Sequence, residues 1–361
     1  MHYQTGLRTR DTKLNFMDYL KSLQNMSGRY NPDNAQLLEQ RILSGELSYD
    51  KDVVKYVKRA MCAVGEDYTK RTIEAGEAAK QHLKDSIRNI SFEYQGSVMT
   101  NTHIRGASDI DLLVMCEKFY ETDIYKVREE INKSHLHSPN EMARLLDYNR
   151  NFSPYQGNSN EDLRQLRMSI EKVMRENYSL CDTSKAKSVK ITNQHLHRDV
   201  DVVTSSWFQS YDYVLSGMSS EKRGIKIYNK ETGEAEGPDY PFLSISRINN
   251  RSAETNGRLK KMIRFLKNVR TDVGLNQTLS SFDINAICYS IPVSSYEDSD
   301  YKKLVTIIWG YMYDLWYYNK LNNLKSVVGD EYVFLNKQDK ITAFISLTNE
   351  VFKIKQDLNN V

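Results

Sequence analysis

The apolar positions near the start of the chain repeat every three or four residues, which is the period of an α-helix. Between residues 50 and 61 this spacing is followed by Val53, Val54, Val57, Ala60 and Met61. The stretch Asp67–Ile90 contains few helix-breaking residues besides Gly76, and we predict one long helix there. The first ninety residues are therefore predicted to be mostly helical.

After residue 90 the pattern changes to that of a mixed fold. Asp109–Met115 is a short apolar run entered by two carboxylates, which predicts a buried strand. A helical pattern returns over Thr122–Lys133, and Asn149–Asn160 is predicted to be a polar loop. Ser159, three residues before Asp162, predicts a capping box at the start of the next helix.

Two further strands and a hairpin precede a long helical region. Ser188–Thr192 and Val200–Val203 have the length and composition of strands, and a hairpin is predicted over residues 225–233. Beyond it the helical pattern covers residues 256–269, 281–290, 301–324 and 338–358. We place a domain boundary in the turn-rich stretch, which divides the chain into a core with N-terminal helices (1–218) and a helical C-terminal lobe (219–361).

Composition and charge narrow the class of protein. The 361 residues include 50 Lys and Arg against 47 Asp and Glu, a formal net charge of +3, which is small for a dedicated nucleic-acid-binding protein. Hydrophobic residues make up 40% of the chain, enough for a folded core. No apolar run reaches the roughly 20 residues that span a bilayer, and no signal-peptide pattern is present. Four scattered cysteines without a CxxC pair favour a reducing, cytoplasmic location.

Three short motifs carry residues suited to phosphate and metal chemistry. At Gly96-Ser97, a glycine lets backbone N–H groups approach an anion, and the serine adds a hydroxyl donor. Asp109 and Asp111 lie two residues apart on a predicted strand, so both carboxylates leave the same face. Asp201 lies between apolar residues of a later strand. Each motif alone is weakly informative, whereas the combination predicts a functional site.

Carboxylates placed among the core-forming residues of strands are costly to leave without a counter-charge. Mg²⁺ relieves that cost, because it takes carboxylate oxygens together with substrate phosphates. Three carboxylates can hold two such ions, an arrangement that stabilises both the attacking and the leaving oxygen in phosphoryl transfer. We therefore predict nucleotidyl transfer with two Mg²⁺ ions, or Mn²⁺, held by Asp109, Asp111 and Asp201.

One alternative ligand lies on the same strand as Asp201. Asp199 is two residues earlier, on the same face, and could take the metal instead. Asp201 is preferred because apolar residues flank it on both sides, whereas Asp199 follows Arg198 and could pair with it.

Histidine pairs and an aromatic run offer other sites. His135/His137 and His195/His197 have no cysteine in ligand spacing, and a structural zinc site needs four ligands. We therefore predict hydrogen-bonded or solvated histidines, with His197 able to border the cleft. The aromatic run over residues 309–318 is predicted to pack between helices rather than to bind a ligand.

The stretch QGSVMTNTHIRGASDIDLLV resembles the signature of the polymerase-β-like nucleotidyltransferase superfamily. Within it, the chain is most similar to the cGAS/DncV-like group (CD-NTases), which make cyclic di- and trinucleotide signals in bacterial anti-phage (CBASS) systems. RDVDVVTSSW resembles the third-aspartate strand of that family, with Thr204 where the family usually has proline. RLKKMIRFLKNVR and SSFDINAICY resemble its helical lobe, so the likeness covers about residues 90–290.

The resemblance implies an α+β fold, in which a polymerase-β-like core of mixed sheet and helices adjoins an all-helical C-terminal lobe, with the active cleft between them. It implies that Asp109 and Asp111 bind both metal ions and that Asp201 binds the catalytic one. Gly96 and Ser97 would hold the β and γ phosphates.

Three residues of the helical lobe also match functional positions of the family. Lys267 matches its phosphate-binding lysine, Ser281 its triphosphate-contacting serine, and Phe282 the position of an aromatic residue that stacks on a base. A core aromatic is the alternative for Phe282. Neighbouring residues lie close enough to take these roles instead: Lys260, Lys261, Arg264 and Ser280.

The implied function is synthesis of a cyclic di- or trinucleotide from NTPs, which are ATP, another NTP or both. The acceptor ribose hydroxyl attacks the donor α-phosphorus, and the linear product rebinds in the opposite orientation so that the ring closes. The expected partners are NTP substrates, a regulatory protein and a downstream effector that senses the product. No membrane is expected, nor a nucleic-acid activator, because the chain has no zinc insertion and no lysine-dense stripe. The alternatives are a nucleotidyltransferase that adds NMP to RNA, a small molecule or a protein, and an inactive nucleotide-binding regulator.

Overall fold

A computed structural model describes residues 18–28, 51–106, 109–296, 299–329 and 331–361. Within these ranges the helices are α1 (Tyr19–Gly28), α2 (Asp52–Met61), α3 (Glu66–Ser86), α4 (Ile124–Asn132), α5 (Pro139–Asn151), α6 (Ser159–Asn177), α7 (Tyr211–Leu215), α8 (Pro241–Glu254), α9 (Arg258–Asp272), α10 (Ser281–Tyr289), α11 (Tyr301–Tyr317) and α12 (Gln338–Asn359). The strands are β1 (Ile90–Gln95), β2 (Ile110–Thr122), β3 (Cys181–Asp182), β4 (Ser188–Asn193), β5 (Arg198–Gln209), β6 (Gly224–Asn229) and β7 (Glu234–Asp239).

These strands form one mixed sheet in the order β1-β2-β5-β4-β3. β2 and β5 are parallel, and the other pairs are antiparallel. β5 is long enough to pair with β4 through its first half and with β6 through its second half, and β7 completes the hairpin with β6. The central position of β2 and β5 explains why the sequence makes both strands strongly apolar.

The two faces of the sheet are covered by different elements. On one face the alternating residues Ile110, Leu112 and Val114 pack against α3 and α6 in a large hydrophobic cluster. The opposite face carries Leu113 and Met115 in a smaller cluster, against which Phe242 of α8 packs. Because side chains alternate along a strand, the odd-numbered Asp109 and Asp111 belong to this second face.

The helical lobe has its own core. It is built from α8–α12 together with α1 and α2, whose buried residues include Val54, Tyr56 and Val57. Full burial of such side chains stabilises the fold by about 1.5–3 kcal/mol each. Helix α8 connects the two cores, because Phe242 packs on the sheet while Ile248 lies in the helical cluster.

The hydrophobic clusters group the segments differently from a single cut at residue 218. The hairpin β6–β7 extends the sheet, and the N-terminal helices α1 and α2 pack with the C-terminal helices. Both arrangements depend on contacts between segments far apart in the chain. The domain limits 1–218 and 219–361 remain a prediction.

One predicted helix and one predicted loop are present, with end residues that differ from the prediction. The long helix predicted over Asp67–Ile90 is α3, which ends at Ser86 before β1 begins. The loop predicted over Asn149–Asn160 is shorter, because α5 continues to Asn151.

The capping box predicted at Ser159 is wrong. The N-cap of α6 is Asn158, whose side chain accepts a hydrogen bond from the backbone N–H of Glu161. Asparagine is as good an N-cap as serine, so the helix begins at Ser159, one residue earlier than predicted.

Candidate active site

Three carboxylates meet on the face of the sheet that α8 partly covers. Asp111 of β2 is the direct cross-strand neighbour of Asp201 in β5, and Asp109 lies two residues before Asp111. Parallel pairing of β2 with β5 therefore brings together residues that are ninety positions apart in sequence. All three line one cavity of about 580 Å³, a size typical of small-molecule sites.

The electrostatics of this group follow from its crowding. Burial, together with the negative charges of Asp201 and Asp109, raises the pKa of Asp111 to about 7. Asp201 is instead stabilised by Lys185, whose Nζ lies 3.1 Å from its Oδ1, and by the Ser188 hydroxyl at 3.0 Å. Lys190 Nζ lies 2.7 Å from Asp109 Oδ2. The unmet negative charge is thus concentrated at Asp111.

The donor set fits hard divalent cations, which take carboxylate oxygens and substrate phosphates. Among the described residues, no group of three or more His, Cys, Asp or Glu side chains has the spacing of a formed metal site. Asp109 and Asp201 instead form ion pairs with Lys190 and Lys185. Burial, and after it the charges of Asp201 and Asp109, raises the pKa of Asp111, and a bound cation would offset both effects.

Gly96 and Ser97 lie at the end of β1, next to the carboxylates. Gln95 pairs with Asp111 across β1 and β2, so the chain leaves the strand directly beside that carboxylate. Gly96 has φ +90°, and a Cβ at this position would lie 2.5 Å from Asp111 Oδ2. Only glycine fits both constraints. Residues 97–101 form a turn rather than a helix.

Helix α9 holds this turn from the other side. Lys267, which is fully buried, donates from Nζ to the carbonyl of Thr102 at 3.1 Å. Arg264 donates from Nη1 to the carbonyl of Asn101 at 2.7 Å. Burial, followed by the nearby charge of Arg270, lowers the pKa of Lys267 to about 7. Lys267 therefore joins the two lobes, although it also lies against the cavity.

Ser281 and Phe282 line the cavity from the first turn of α10. This helix begins with a capping box between Ser280 and Asp283. Ser280 is therefore occupied by capping, which favours Ser281 over it as the residue that faces the cavity. Phe282 is 38% exposed, so the alternative of a core aromatic is wrong.

We name the two sides of the cavity by their elements. The sheet wall comprises Gly96, Ser97, Asp109, Asp111 and Asp201, and the helical wall comprises Lys267, Ser281, Phe282 and Asn285. Sequence reasoning placed every one of these except Asn285. It also missed other lining residues: Gln95, Thr100, Asp239, Tyr240, Pro241, Ser244, Ile245, Ile248, Val328 and Glu331.

Most of the missed residues belong to β7, α8 and the segment before α12. The only local signal was the four-residue periodicity of α8, where Pro241, Ser244, Ile245 and Ile248 follow one helix face. Asn285 lies one turn after Ser281 and follows the same rule. Nothing local indicated Asp239 or Glu331, which reach the cavity through the fold.

The alternative candidates lie outside the cavity. Asp199 accepts from the Thr192 hydroxyl at 2.6 Å and pairs with Lys190 at 2.9 Å, so its carboxylate is engaged on β4. His137 contacts Glu130 at 3.2 Å, in agreement with a hydrogen-bonded histidine. In the aromatic run, Trp309 stacks on Phe352, as helix packing predicts, whereas Tyr317 is 60% exposed.

All four cysteines are free, and no helix in the described ranges is long and apolar enough to cross a bilayer. The cytoplasmic location remains a prediction.

The chain is similar to known proteins in both sequence and structure. The model of the family described as the cGAS/DncV-like nucleotidyltransferase C-terminal helical domain matches residues 246–354. A c-di-GMP synthase of Lachnospiraceae bacterium (strain RUG226) is 61% identical over 342 residues, which cover 95% of this chain and 99% of that protein. The residues matched by the family model include the helical wall of the cavity.

Two solved structures are similar over the same extent. A STING-associated CdnE c-di-GMP synthase from Flavobacteriaceae sp. aligns with a TM-score of 0.83 and 37% identity. Another STING-associated CdnE c-di-GMP synthase, from Capnocytophaga granulosa, aligns with a TM-score of 0.76 and 39% identity. Both alignments cover 95% of this chain and 99% of the other.

The fold and the site define a nucleotidyltransferase. The chain belongs to the cGAS/DncV-like nucleotidyltransferase family. The family, the fold class and the enzyme class predicted from the sequence are confirmed, and cyclic-dinucleotide synthesis agrees with the activity named for the relatives.

Proposed function

We propose that this chain synthesises c-di-GMP from two molecules of GTP in the cavity between its sheet wall and its helical wall. The observation that carries the proposal is the convergence of Asp109, Asp111 and Asp201 with Ser281 and Phe282 around one cavity. The product is the one named for relatives that are 61% and 42% identical to this chain.

The sheet wall binds the reacting phosphates. Asp109 and Asp111 would hold two divalent cations, Mg²⁺ or Mn²⁺, and Asp201 the catalytic one. When bound, these ions supply Lewis-acid chemistry that activates the acceptor hydroxyl and neutralises the departing pyrophosphate. The backbone at Gly96 and the Ser97 hydroxyl would donate to the β and γ phosphates, and the missing side chain of Gly96 keeps that approach open.

The helical wall positions the nucleotides. Ser281 would donate to the triphosphate, and the exposed ring of Phe282 would stack on a guanine. Lys267 would contribute to phosphate binding. Because its ammonium also holds the carbonyl of Thr102, it fixes the turn that follows Ser97. The same lysine thus couples the helical wall to the phosphate-binding turn.

The reaction consists of two successive transfers. In the first, the acceptor ribose hydroxyl attacks the α-phosphorus of the donor, a new P–O bond forms and pyrophosphate leaves. The linear intermediate then rebinds in the opposite orientation, so that its own triphosphate becomes the donor. A second attack closes the ring and releases a second pyrophosphate.

A direct test is to incubate the purified protein with GTP alone and with all four NTPs, in Mg²⁺ or Mn²⁺, and to identify the products by mass. We expect a phosphatase-resistant species of the mass of c-di-GMP. Asp201→Asn should abolish it in a folded protein. The matched control is Asp199→Asn, which removes a carboxylate of the same strand and face outside the cavity, and it should retain activity.

Other outcomes would identify the alternative functions. Label transferred from NTP to an RNA or a protein would replace the proposal with a macromolecule-modifying nucleotidyltransferase. Thermal stabilisation by NTP without any release of pyrophosphate would indicate an inactive nucleotide-binding regulator. Normal turnover by Asp201→Asn would reject the assignment of the carboxylates.

We further propose that the product is a signal in bacterial anti-phage defence, read by an effector of the STING type. The support is that two similar solved structures are of STING-associated c-di-GMP synthases. In a host that carries the surrounding genes, phage resistance should be lost with Asp201→Asn and kept with Asp199→Asn.

A further inference from the structure

Two lysine side chains form ion pairs with the proposed metal-binding carboxylates. Lys185 Nζ lies 3.1 Å from Asp201 Oδ1, and Lys190 Nζ lies 2.7 Å from Asp109 Oδ2. Lys190 also pairs with Asp199 Oδ2 at 2.9 Å. Two of the three proposed metal ligands are therefore engaged by ammonium groups of the same chain.

Strand pairing fixes the position of Lys190 beside the carboxylates. Lys190 is the direct cross-strand neighbour of Asp201, so the pairing of β4 with β5 fixes its backbone beside the carboxylates. Its neighbours Val189 and Ile191 are fully buried on the other face, which directs Lys190 to the carboxylate face.

A buried arginine positions the second lysine. Arg167 of α6 is 2% exposed and donates from Nη2 to the carbonyls of Lys185 and Ser188, both at 2.9 Å. Its Nε also donates to Glu171 at 2.9 Å. Arg167 thus anchors the turn at Lys185 itself and at Ser188. The Ser188 hydroxyl contacts the same oxygen of Asp201 as Lys185 does.

Both ammonium groups can move away from their carboxylate partners. The side chains of Lys185 and Lys190 are 41% and 29% exposed, so each has a path to solvent. A divalent cation carries twice the charge of an ammonium group, so a cation that arrives with a triphosphate competes with each lysine for its carboxylate. Asp111, for which no lysine contact is found among the described residues, is the carboxylate open to the incoming ion.

We infer that Lys185 and Lys190 are intramolecular counter-ions that a divalent cation must displace, so that the protein binds metal tightly only together with nucleotide. Once displaced, the two ammonium groups lie next to the phosphates that arrive with the metal. Both are positioning residues, because they act through Asp109 and Asp201. This inference rests on the proposed function of those carboxylates.

The test measures binding of Mn²⁺ alone, from the electron paramagnetic resonance signal of the free ion. Without nucleotide, Lys190→Met should tighten Mn²⁺ binding about tenfold, because it removes a positive charge within 4 Å of a ligand. Lys185→Met should act in the same direction, and the double variant more strongly. The matched control is Lys187→Met, which removes the partner of Glu236 outside the cavity and should leave the affinity unchanged.

A second arm adds a GTP analogue with a methylene group between the α and β phosphorus atoms. The unmodified protein should then bind Mn²⁺ much more tightly, and the difference from Lys190→Met should shrink. Equal or weaker Mn²⁺ affinity of both lysine variants without nucleotide would overturn the inference. Lys190→Gln and a thermal melt separate a folding defect from a binding effect.

Asp201→Asn distinguishes this inference from the proposed function. If it leaves Mn²⁺ binding with the analogue unchanged, the metal-site assignment itself fails. If it abolishes that binding while the lysine variants bind like the unmodified protein, only the counter-ion role fails.

Discussion

The two walls of the cavity balance their charge in opposite ways. The sheet wall places three carboxylates on one face and relies on partly exposed lysines, Lys185 and Lys190, for compensation. The helical wall buries its cation completely, since Lys267 is fully buried and donates to Thr102. One wall is prepared for incoming cations, and the other for incoming anions.

The difference separates groups that must exchange partners from groups that must hold position. Exposed ion pairs contribute little stability and exchange readily. A buried ammonium is costly to leave unpaired, so Lys267 is kept where the carbonyl of Thr102 satisfies it. Substitutions in the sheet wall are therefore expected to reduce mainly activity. Substitutions of the buried groups of the helical wall are expected to reduce mainly stability.

Among variants that keep all three carboxylates, the largest effect on activity is expected at Gly96. Gly96→Ala combines a left-handed backbone with a Cβ 2.5 Å from Asp111 Oδ2, so it must displace that carboxylate. We expect kcat/KM for GTP to fall by about 100-fold or more, as for a catalytic group moved by 1 Å.

Gly233 provides the matched control, because it has φ +75° but nothing within 4 Å of an added Cβ. Gly233→Ala should cost about 1 kcal/mol of unfolding free energy and leave kcat/KM unchanged. Equal loss of activity in both variants would show that backbone strain, and not contact with Asp111, is responsible.

The largest effect on stability is expected at Asp283, which supports the helical wall. Its carboxylate is fully buried, caps α10 through Ser280 and pairs with Lys340 at 2.8 Å. Asp283→Ala should lower the unfolding free energy in urea by about 3 kcal/mol. Asp300→Ala, which removes the exposed N-cap of α11, should cost about 1 kcal/mol. Similar losses at both positions would contradict the buried role of Asp283.

A smaller effect is expected at Phe282, the exposed aromatic of the helical wall. Phe282→Ala should raise the KM for GTP about tenfold, as for the loss of one stacked base. Phe282→Tyr should restore it. The control is Phe352→Ala, which removes a ring of similar exposure that packs on Trp309 outside the cavity. An unchanged KM in Phe282→Ala would exclude stacking.

The smallest effect concerns the pH dependence of stability. Burial lowers the pKa of Lys267 to about 7, whereas an unfolded lysine titrates near 10.4. Between these values the unfolded chain binds one more proton than the folded chain, so this lysine makes stability rise with pH. Lys267→Met should flatten that rise between about pH 7.5 and 9 in urea unfolding. Lys172→Met, at a side chain 75% exposed, should not change the slope.

Local sequence patterns predicted residues of the sheet wall better than residues of the helical wall, for a physical reason. Asp109 and Asp111 are two residues apart on an apolar strand, and alternation alone puts both carboxylates on one face. The glycine that admits a close backbone approach is also a local feature. The roles of Lys267, Ser281 and Phe282 came instead from resemblance to a family, since no periodicity marks them.

The N-terminal helices show what a local sequence pattern cannot predict. Val54, Tyr56 and Val57 have a clear helical pattern, yet that pattern does not state which lobe they join. The same holds for Asp239 and Glu331, whose approach to the cavity depends on the packing of β7 and of the segment before α12.

By itself, the sequence determined the strands β2, β4 and β5, most helices, the two local motifs of the sheet wall and membership of the family, because these depend on spacing within a few residues. Only the tertiary structure decided that Asp111 and Asp201 are cross-strand neighbours, that Lys185 and Lys190 reach the carboxylates, and that Lys267 is buried against Thr102. These contacts join residues far apart in the chain, and strand register and helix packing arise only when the distant segments are brought together.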